Sequence, residues 1–279
     1  MVTSPSIPSA GVQPLEVSFN RIYILESLRA DDRSTGSELH SDVLRWKDLA
    51  GGPQAVFKRL VAKADFEAYM RFILEDVLRG AVLPFIHLEM HGTREGLELT
   101  DGDMIVWQDL VCETRKINHA CKNNLILSLA ACSGAYIYET ISPVEPTPFW
   151  GFIGPWNEVT AGDVMNFGGF FDSLLTDLSL NMAVDVLNTG IPPERHFHFY
   201  SSEEVFERVK RVYCSHLANP EKRSIRVQNI MGHALSNYFV RHMFTIPELR
   251  ERVDVMLRDT NDEMWVKMKR EFLGLEEAP

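Results

Sequence analysis

A thiol and an imidazole sit in this chain in settings that suit nucleophilic catalysis. Leu83–Gly92 reads LPFIHLEMHG and Asn124–Gly134 reads NLILSLAACSG. Each apolar run ends in a reactive side chain among small residues: His91 before Gly92, and Cys132 between Ala131 and Ser133-Gly134. A thiol attacks an amide as the thiolate, and an ordinary cysteine titrates at about 8.5. An imidazolium beside it favours the thiolate and can then protonate the departing amine. The tetrahedral intermediate also needs N–H donors for its oxyanion. Gly92 suits that task, since its N–H can approach a substrate with no side chain in the way, and the Cys132 N–H would be the second donor. Glu89 lies two positions before His91, on the same face of a strand. It could orient the ring or be satisfied by backbone or water.

The elements that must position these groups are legible as an alternation. Val17–Leu28 predicts a strand centred on Ile22-Tyr23-Ile24-Leu25. Phe66, Tyr69, Met70, Ile73, Leu74, Val77 and Leu78 recur at helical spacing, with Asp65 as a start signal and Gly80 as a stop. That helix feeds the Leu83–Met90 strand. A second helix over Trp107–Ala120, with Trp107, Leu110, Val111 and Ile117 on one face, leads into the Leu125–Ala131 strand. Strand, helix, strand, helix, strand predicts parallel units with right-handed crossovers. Neighbouring parallel strands would bring His91 and Cys132 to one carboxyl edge, where open α/β sheets hold their ligands.

Residues 29–54 are polar and broken by Thr35-Gly36 and Gly51-Gly52-Pro53, which predicts a long loop with at most one short helix. Ala55–Ala62 is a possible strand, Phe149–Gly154 another, and helices are expected around Val164–Leu178 and Leu180–Asn188. From Ser201 onward the pattern is helical only. Ser201-x-x-Glu204 reads as a capping box ahead of Val205, Val209, Val212 and Tyr213. Val227, Ile230, Met231, Ala234, Leu235, Tyr238 and Phe239 follow at helical spacing, and Pro247 opens a third helix. The expected organisation is a loose tail over 1–15, an α/β domain over 16–200 and a helical extension over 201–279.

Composition narrows the classes of partner. The 279 residues are 45% hydrophobic and 24% charged, the profile of an ordinary globular protein. A net charge of -11 argues against a nucleic-acid footprint, which needs a basic patch. Cys112, Cys121, Cys132 and Cys214 show neither paired nor metal-ligand spacing, so neither a disulfide framework nor a metal is expected. The start of the chain shows no basic segment followed by an apolar run, and no stretch approaches the roughly 20 apolar residues of a membrane span. A cytoplasmic location is the expectation, with no membrane partner and no cofactor.

The order His-Gly, then Ala-Cys-x-Gly, resembles the caspase-like cysteine peptidases. His91 and Cys132 are 132 − 91 = 41 positions apart, close to the roughly 50 of caspases. Ala130-Ala131-Cys132-Ser133-Gly134 matches the caspase pentapeptide except at its first position, where Ala130 replaces glutamine. Asp101-Gly102-Asp103, after His-Gly and before a helix, is also similar to that family. The segment GPWNEVTAGDV, Gly154–Val164, resembles bacterial CHAT proteases and separase, and Phe170-Phe171-Asp172-Ser173-Leu174-Leu175 is similar to a CHAT-domain helix. The resemblance covers roughly 17–188.

That resemblance implies a three-layer caspase-like fold with a mostly parallel sheet between helices. It implies Cys132 as nucleophile, His91 as general acid and base, Gly92 and Cys132 as oxyanion donors, and a dyad that needs no third catalytic side chain. Trp156, Glu158 and Asp163 become candidates for the substrate pocket, although Ala161 stands where separase carries an acid. Arg33, in the loop after the first strand, is a further candidate substrate contact.

The expected function is therefore a cysteine endopeptidase acting on a protein substrate in a bacterial defence or stress setting. The short stretch between Cys132 and Phe149 leaves no room for a long cleavable linker, so activation is expected to come from a partner or effector docking on the helical extension. Two other classes remain open: a non-catalytic caspase-like scaffold, and an amidase or acyltransferase using the same pair.

Overall fold

The apolar runs pair as one sheet. In chain order its strands are β1 (Arg21–Ser27), β2 (Gln54–Arg59), β3 (Pro84–Gly92), β4 (Gly96–Glu98), β5 (Met104–Val106), β6 (Ile126–Ala130), β7 (Gly151–Pro155) and β8 (Phe197–Ser201). The main path runs β2-β1-β3-β6-β7-β8, and β4 with β5 forms a hairpin on the end of β3. Strands β2, β1, β3, β6 and β7 are parallel, whereas β8 joins β7 antiparallel. The computed structural model of the chain describes residues 18–142, 145–177, 179–236, 245–258 and 262–275. The tail expected at 1–15 lies outside the described residues. So do Val17, Leu178, Tyr238 and Phe239, which the sequence reading assigned to a strand or to helices.

Helices cover both faces of the sheet. Tyr23 of β1 meets Tyr69 of α3 (Lys63–Arg79) edge to face, at 6.5 Å between ring centroids. Alternation then turns Ile22 and Ile24 to the other face, where they pack with Phe85, Ile126 and Ile153. There they meet Phe167, Phe170, Phe171 and Leu174 of α6 (Phe167–Asp177) and Leu180, Ala183, Val184 and Leu187 of α7 (Leu180–Leu187). The α4 helix (Trp107–Ala120), which packs with α3, links β5 to β6. The chain is thus an α/β protein with a mostly parallel mixed sheet flanked by helices.

Three segments differ from the sequence reading, one of them the β4–β5 hairpin, to which it assigned no strand. Residues 35–49 are helical: α1 (Thr35–Glu38), a π-helical stretch Leu39–Leu44, and α2 (Arg45–Leu49). The buried anchors Leu39 and Leu44 lie five apart, a π-helical spacing that a 3.6-residue period misses. The last is β8, Phe-His-Phe-Tyr-Ser, which lies antiparallel beside β7.

The chain divides into two compact units, one holding the sheet up to Ser201, the other the helices from Ser202 with the piece Ser142–Pro146. In the second unit α8 (Ser202–Ala218) carries Phe206 against Trp265 and Phe272 of the helix Asp262–Leu273. Leu217, Val227, Met231, Leu249, Val253 and Leu257 form its core. Among the described residues, no helix is long and apolar enough to cross a membrane.

Candidate active site

Register decides the site. His87 pairs with Ser128 and Glu89 with Ala130 across the parallel β3 and β6 strands. Two residues further along β3 comes His91, and Cys132 lies in the turn that follows β6. Gly92 shows how close the two chains run there: a Cβ on it would lie 2.2 Å from the Cys132 carbonyl oxygen and 3.1 Å from the Ala131 Cβ. Only a residue without a side chain fits. The imidazole, the glycine N–H and the thiol-bearing residue therefore share one sheet edge.

The turn after β6 is sharp. Ser133 takes φ +57°, in the left-handed region that non-glycine residues seldom occupy. Such strain persists where the surroundings over-determine it, and functional sites are common places for it. The Ser133 N–H donates to the Asn157 carbonyl at 3.1 Å and the Gly134 N–H to the Ala131 carbonyl at 3.3 Å. These two amides are committed to backbone carbonyls.

His91 Nε2 lies 2.8 Å from Asp32 Oδ2, with the two side chains 42% and 30% exposed. An ionised carboxylate only accepts, so Nε2 carries the hydrogen and Nδ1 is the basic nitrogen. Asp32 also accepts from the Arg29 N–H at 2.9 Å. The His91 hydrogen bond first, and the Arg29 N–H second, hold its carboxyl below the usual carboxylate range. The sulfur of Cys132 meets the strap after β7: the Val159 N–H donates to Sγ at 3.4 Å, and Sγ lies 3.6 Å from the Val159 carbonyl. Among the described residues, no hydrogen bond joins His91 to Cys132 directly. The ring is partnered by a carboxylate and the thiol by backbone groups.

Several expected site residues are committed elsewhere. Glu89 does not orient His91; its carboxylate is buried, accepting from the Thr35 hydroxyl and meeting His87 Nε2 at 2.8 Å. The reason is position: His87, the other histidine two residues away, is fully buried and requires a partner, whereas His91 reaches the loop above it. The Arg33 guanidinium, half exposed, clasps Glu38 with contacts of 3.0 and 2.7 Å. Asp163 is not an open pocket acid. It accepts from Thr160 N–H and Oγ1 at 2.8 and 2.9 Å and pairs with Arg195, Nη2 to Oδ1 at 3.1 Å. Trp156 donates its indole N–H to Tyr200 at 2.7 Å and presents its ring to Tyr136. Glu158 is exposed, one residue before Val159.

A stability test follows for Asp163. Asp163→Ala removes a cap and an ion pair from the segment that carries Val159, and is expected to cost about 2 kcal/mol in urea unfolding. An unchanged midpoint would contradict the anchoring role.

Sequence reasoning missed Asp32 and Val159. Asp32 belongs to the loop leaving the carboxyl end of β1, and β1 neighbours β3; an acid in that loop was the available signal. Val159 contributes only backbone atoms, which leave no trace in residue type. Among the described residues, no group of three or more histidine, cysteine or carboxylate side chains could hold a metal ion. Compared with known proteins, the chain matches no protein-family model. No curated protein matches it significantly either.

Proposed function

We propose that the chain is a cysteine-type endopeptidase of caspase-like architecture. The observation that carries this reading is the shared β3–β6 edge, where Gly92 abuts Cys132 and His91 is oriented by Asp32. In the proposed reaction the Cys132 thiol gives its proton to His91 Nδ1 as sulfur attacks the peptide carbonyl. The carbon–sulfur bond forms, and the oxyanion is held by the N–H groups of Gly92 and Cys132. Collapse breaks the carbon–nitrogen bond, and His91 returns the proton to the leaving amine. Water, deprotonated by the same nitrogen, then hydrolyses the thioester and restores the thiol. Asp32 keeps the proton on Nε2 throughout, which turns the expected dyad into a triad.

A bacterial defence or stress role in the cytoplasm, with a protein partner acting through the helical unit, belongs to the same proposal and is supported only by the sequence resemblance. Glu158 remains a candidate for contact with substrate through its exposure beside Val159. The second reading, a non-catalytic scaffold, is favoured by one observation: both backbone groups of Val159 already engage the sulfur.

Iodoacetamide at neutral pH separates the two. Rapid alkylation of Cys132 that collapses in His91→Ala supports the catalytic reading, and slow alkylation indifferent to His91 supports the scaffold. A proteome-wide comparison of cleavage products from wild type and Cys132→Ala then tests for endopeptidase activity. A reactive thiol with no polypeptide cut would point instead to amidase or acyltransferase chemistry.

Asp32→Asn is expected to lower cleavage by roughly 10²- to 10⁴-fold, because an amide can stabilise the wrong tautomer and cannot balance an imidazolium. The substitution also tests pH dependence. A carboxyl held below its usual range contributes stability that is complete above the ordinary carboxylate range and is lost as pH falls through its lowered value. Wild type is therefore expected to exceed Asp32→Asn in stability by a full margin above about pH 5, and by less as acid is added. Urea midpoints across pH check this; a margin that widens in acid would contradict it.

A further inference from the structure

Beneath the loop that supplies Asp32 lies a buried pair of carboxylates. Glu26 of β1 and Glu89 of β3 face one another in the parallel register, at 0% and 1% exposure. Two carboxyl groups side by side in a core are costly to take out of water, and an apolar pair of similar volume would be the cheaper filling. Their acceptors account for the arrangement. Glu26 Oε1 accepts from the Gly36 and Ser37 N–H groups, each at 3.1 Å, and its Oε2 accepts from Arg59 at 2.7 Å. Arg59 donates in turn to Ser34 Oγ at 3.0 Å. Glu89 accepts from the Thr35 hydroxyl and is backed by His87, whose Nδ1 meets Ser128 Oγ at 2.6 Å. Gly36 lies flush on the pair, so that a Cβ there would be 3.3 Å from either carboxylate.

Four successive residues, 34 to 37, are thus tied to β1 and β3 by these carboxylates and Arg59. Asp32 lies two residues upstream, on the short loop whose other end leaves β1, and Thr35 N–H donates to the Arg33 carbonyl at 2.8 Å. We propose that Glu26 and Glu89 are positioning residues: they hold the Asp32 loop, and through Asp32 the His91 ring, beside Cys132. The role rests on the peptidase reading for its purpose, though the position of the ring can be tested without it.

The chemistry of substitution is informative. Glu26→Gln keeps the shape but must present an amide NH₂ either to two backbone N–H groups or to Arg59, donor against donor. Thr35→Val keeps the volume and deletes the hydroxyl on Glu89, while Thr35→Ser retains it.

The test uses the full chain. Glu26→Gln and Thr35→Val are each expected to lower the His91-dependent alkylation rate of Cys132 about tenfold, the scale of a small misplacement. Thr35→Ser is expected to restore it. In an Asp32→Asn background Glu26→Gln is expected to add nothing, since both act through one contact. A folded Glu26→Gln or Thr35→Val protein with the wild-type rate would overturn the proposal, and so would an undiminished loss in the Asp32→Asn background.

The His91 ring supplies a readout independent of the thiol. Its Nε2 resonance in nitrogen-15 spectra is expected to move in Thr35→Val in the direction seen for Asp32→Asn, and an unmoved resonance overturns the positioning role. Should Cys132 prove inert in the wild type while that resonance moves, the peptidase reading fails and the positioning role stands.

Discussion

Cys132→Ala is expected to abolish peptide cleavage, and His91→Ala to reduce it by a factor on the order of 10³ to 10⁶. The two losses should not add. Once sulfur is gone the imidazole has no proton to take, and once the imidazole is gone the thiol has no base to take its proton. Joint replacement should therefore leave the same residue of activity as Cys132→Ala alone, the behaviour of groups that act as a unit. Both residues sit at the edge of the sheet, and neither belongs to the apolar core beneath it. Cys132→Ala should leave thermal unfolding within about 0.5 kcal/mol of wild type, whereas His91→Ala should lose the same margin as Asp32→Asn, since both delete one contact. Cleavage of the same products by Cys132→Ala as by wild type would end the peptidase reading.

Gly92→Ala is the second large effect, and it acts through space alone. The added methyl would meet the Cys132 carbonyl oxygen at 2.2 Å and its carbon at 3.2 Å. Both atoms are backbone at the end of a paired strand, so relief requires the ends of β3 and β6 to part by about 1 Å. That movement separates the Gly92 N–H from the nucleophile it serves. A misplacement of that size costs about 10²-fold in rate, and overpacking a paired edge about 1–3 kcal/mol in stability. Gly232→Ala, where a Cβ would meet nothing within 4 Å, is the matched control and should be neutral or slightly stabilising. Gly92→Ala with wild-type turnover would show that the close approach has no part in the chemistry.

These expectations trace back to two kinds of information in the chain. The alternation of β3, with Phe85, His87, Glu89 and His91 on one face, is written in its residues, as is that of β6 with Ile126, Ser128 and Ala130. So are the helices α3 and α4, because seventeen and fourteen residues of 3.6-residue periodicity leave a strong pattern. The helical turns over 35–49 left none, since their anchors Leu39 and Leu44 do not share that period. Asp163 was a pocket candidate through the resemblance of Gly154–Val164, and its partner Arg195, 32 positions away, left no local sign of the pairing.

The chain's own pattern was enough to specify β1, β3, β6 and β7, their faces and the small residues around His91 and Cys132, since period and side-chain volume are local properties. Which strands became neighbours, and so which carboxylate reached which histidine, is a matter of long-range pairing. The register of β1 on β3 sent Glu89 to His87 and brought Asp32 over His91. A one-residue slip would have turned each side chain to the opposite face, and no local feature of either segment specifies the partner against which that register is set.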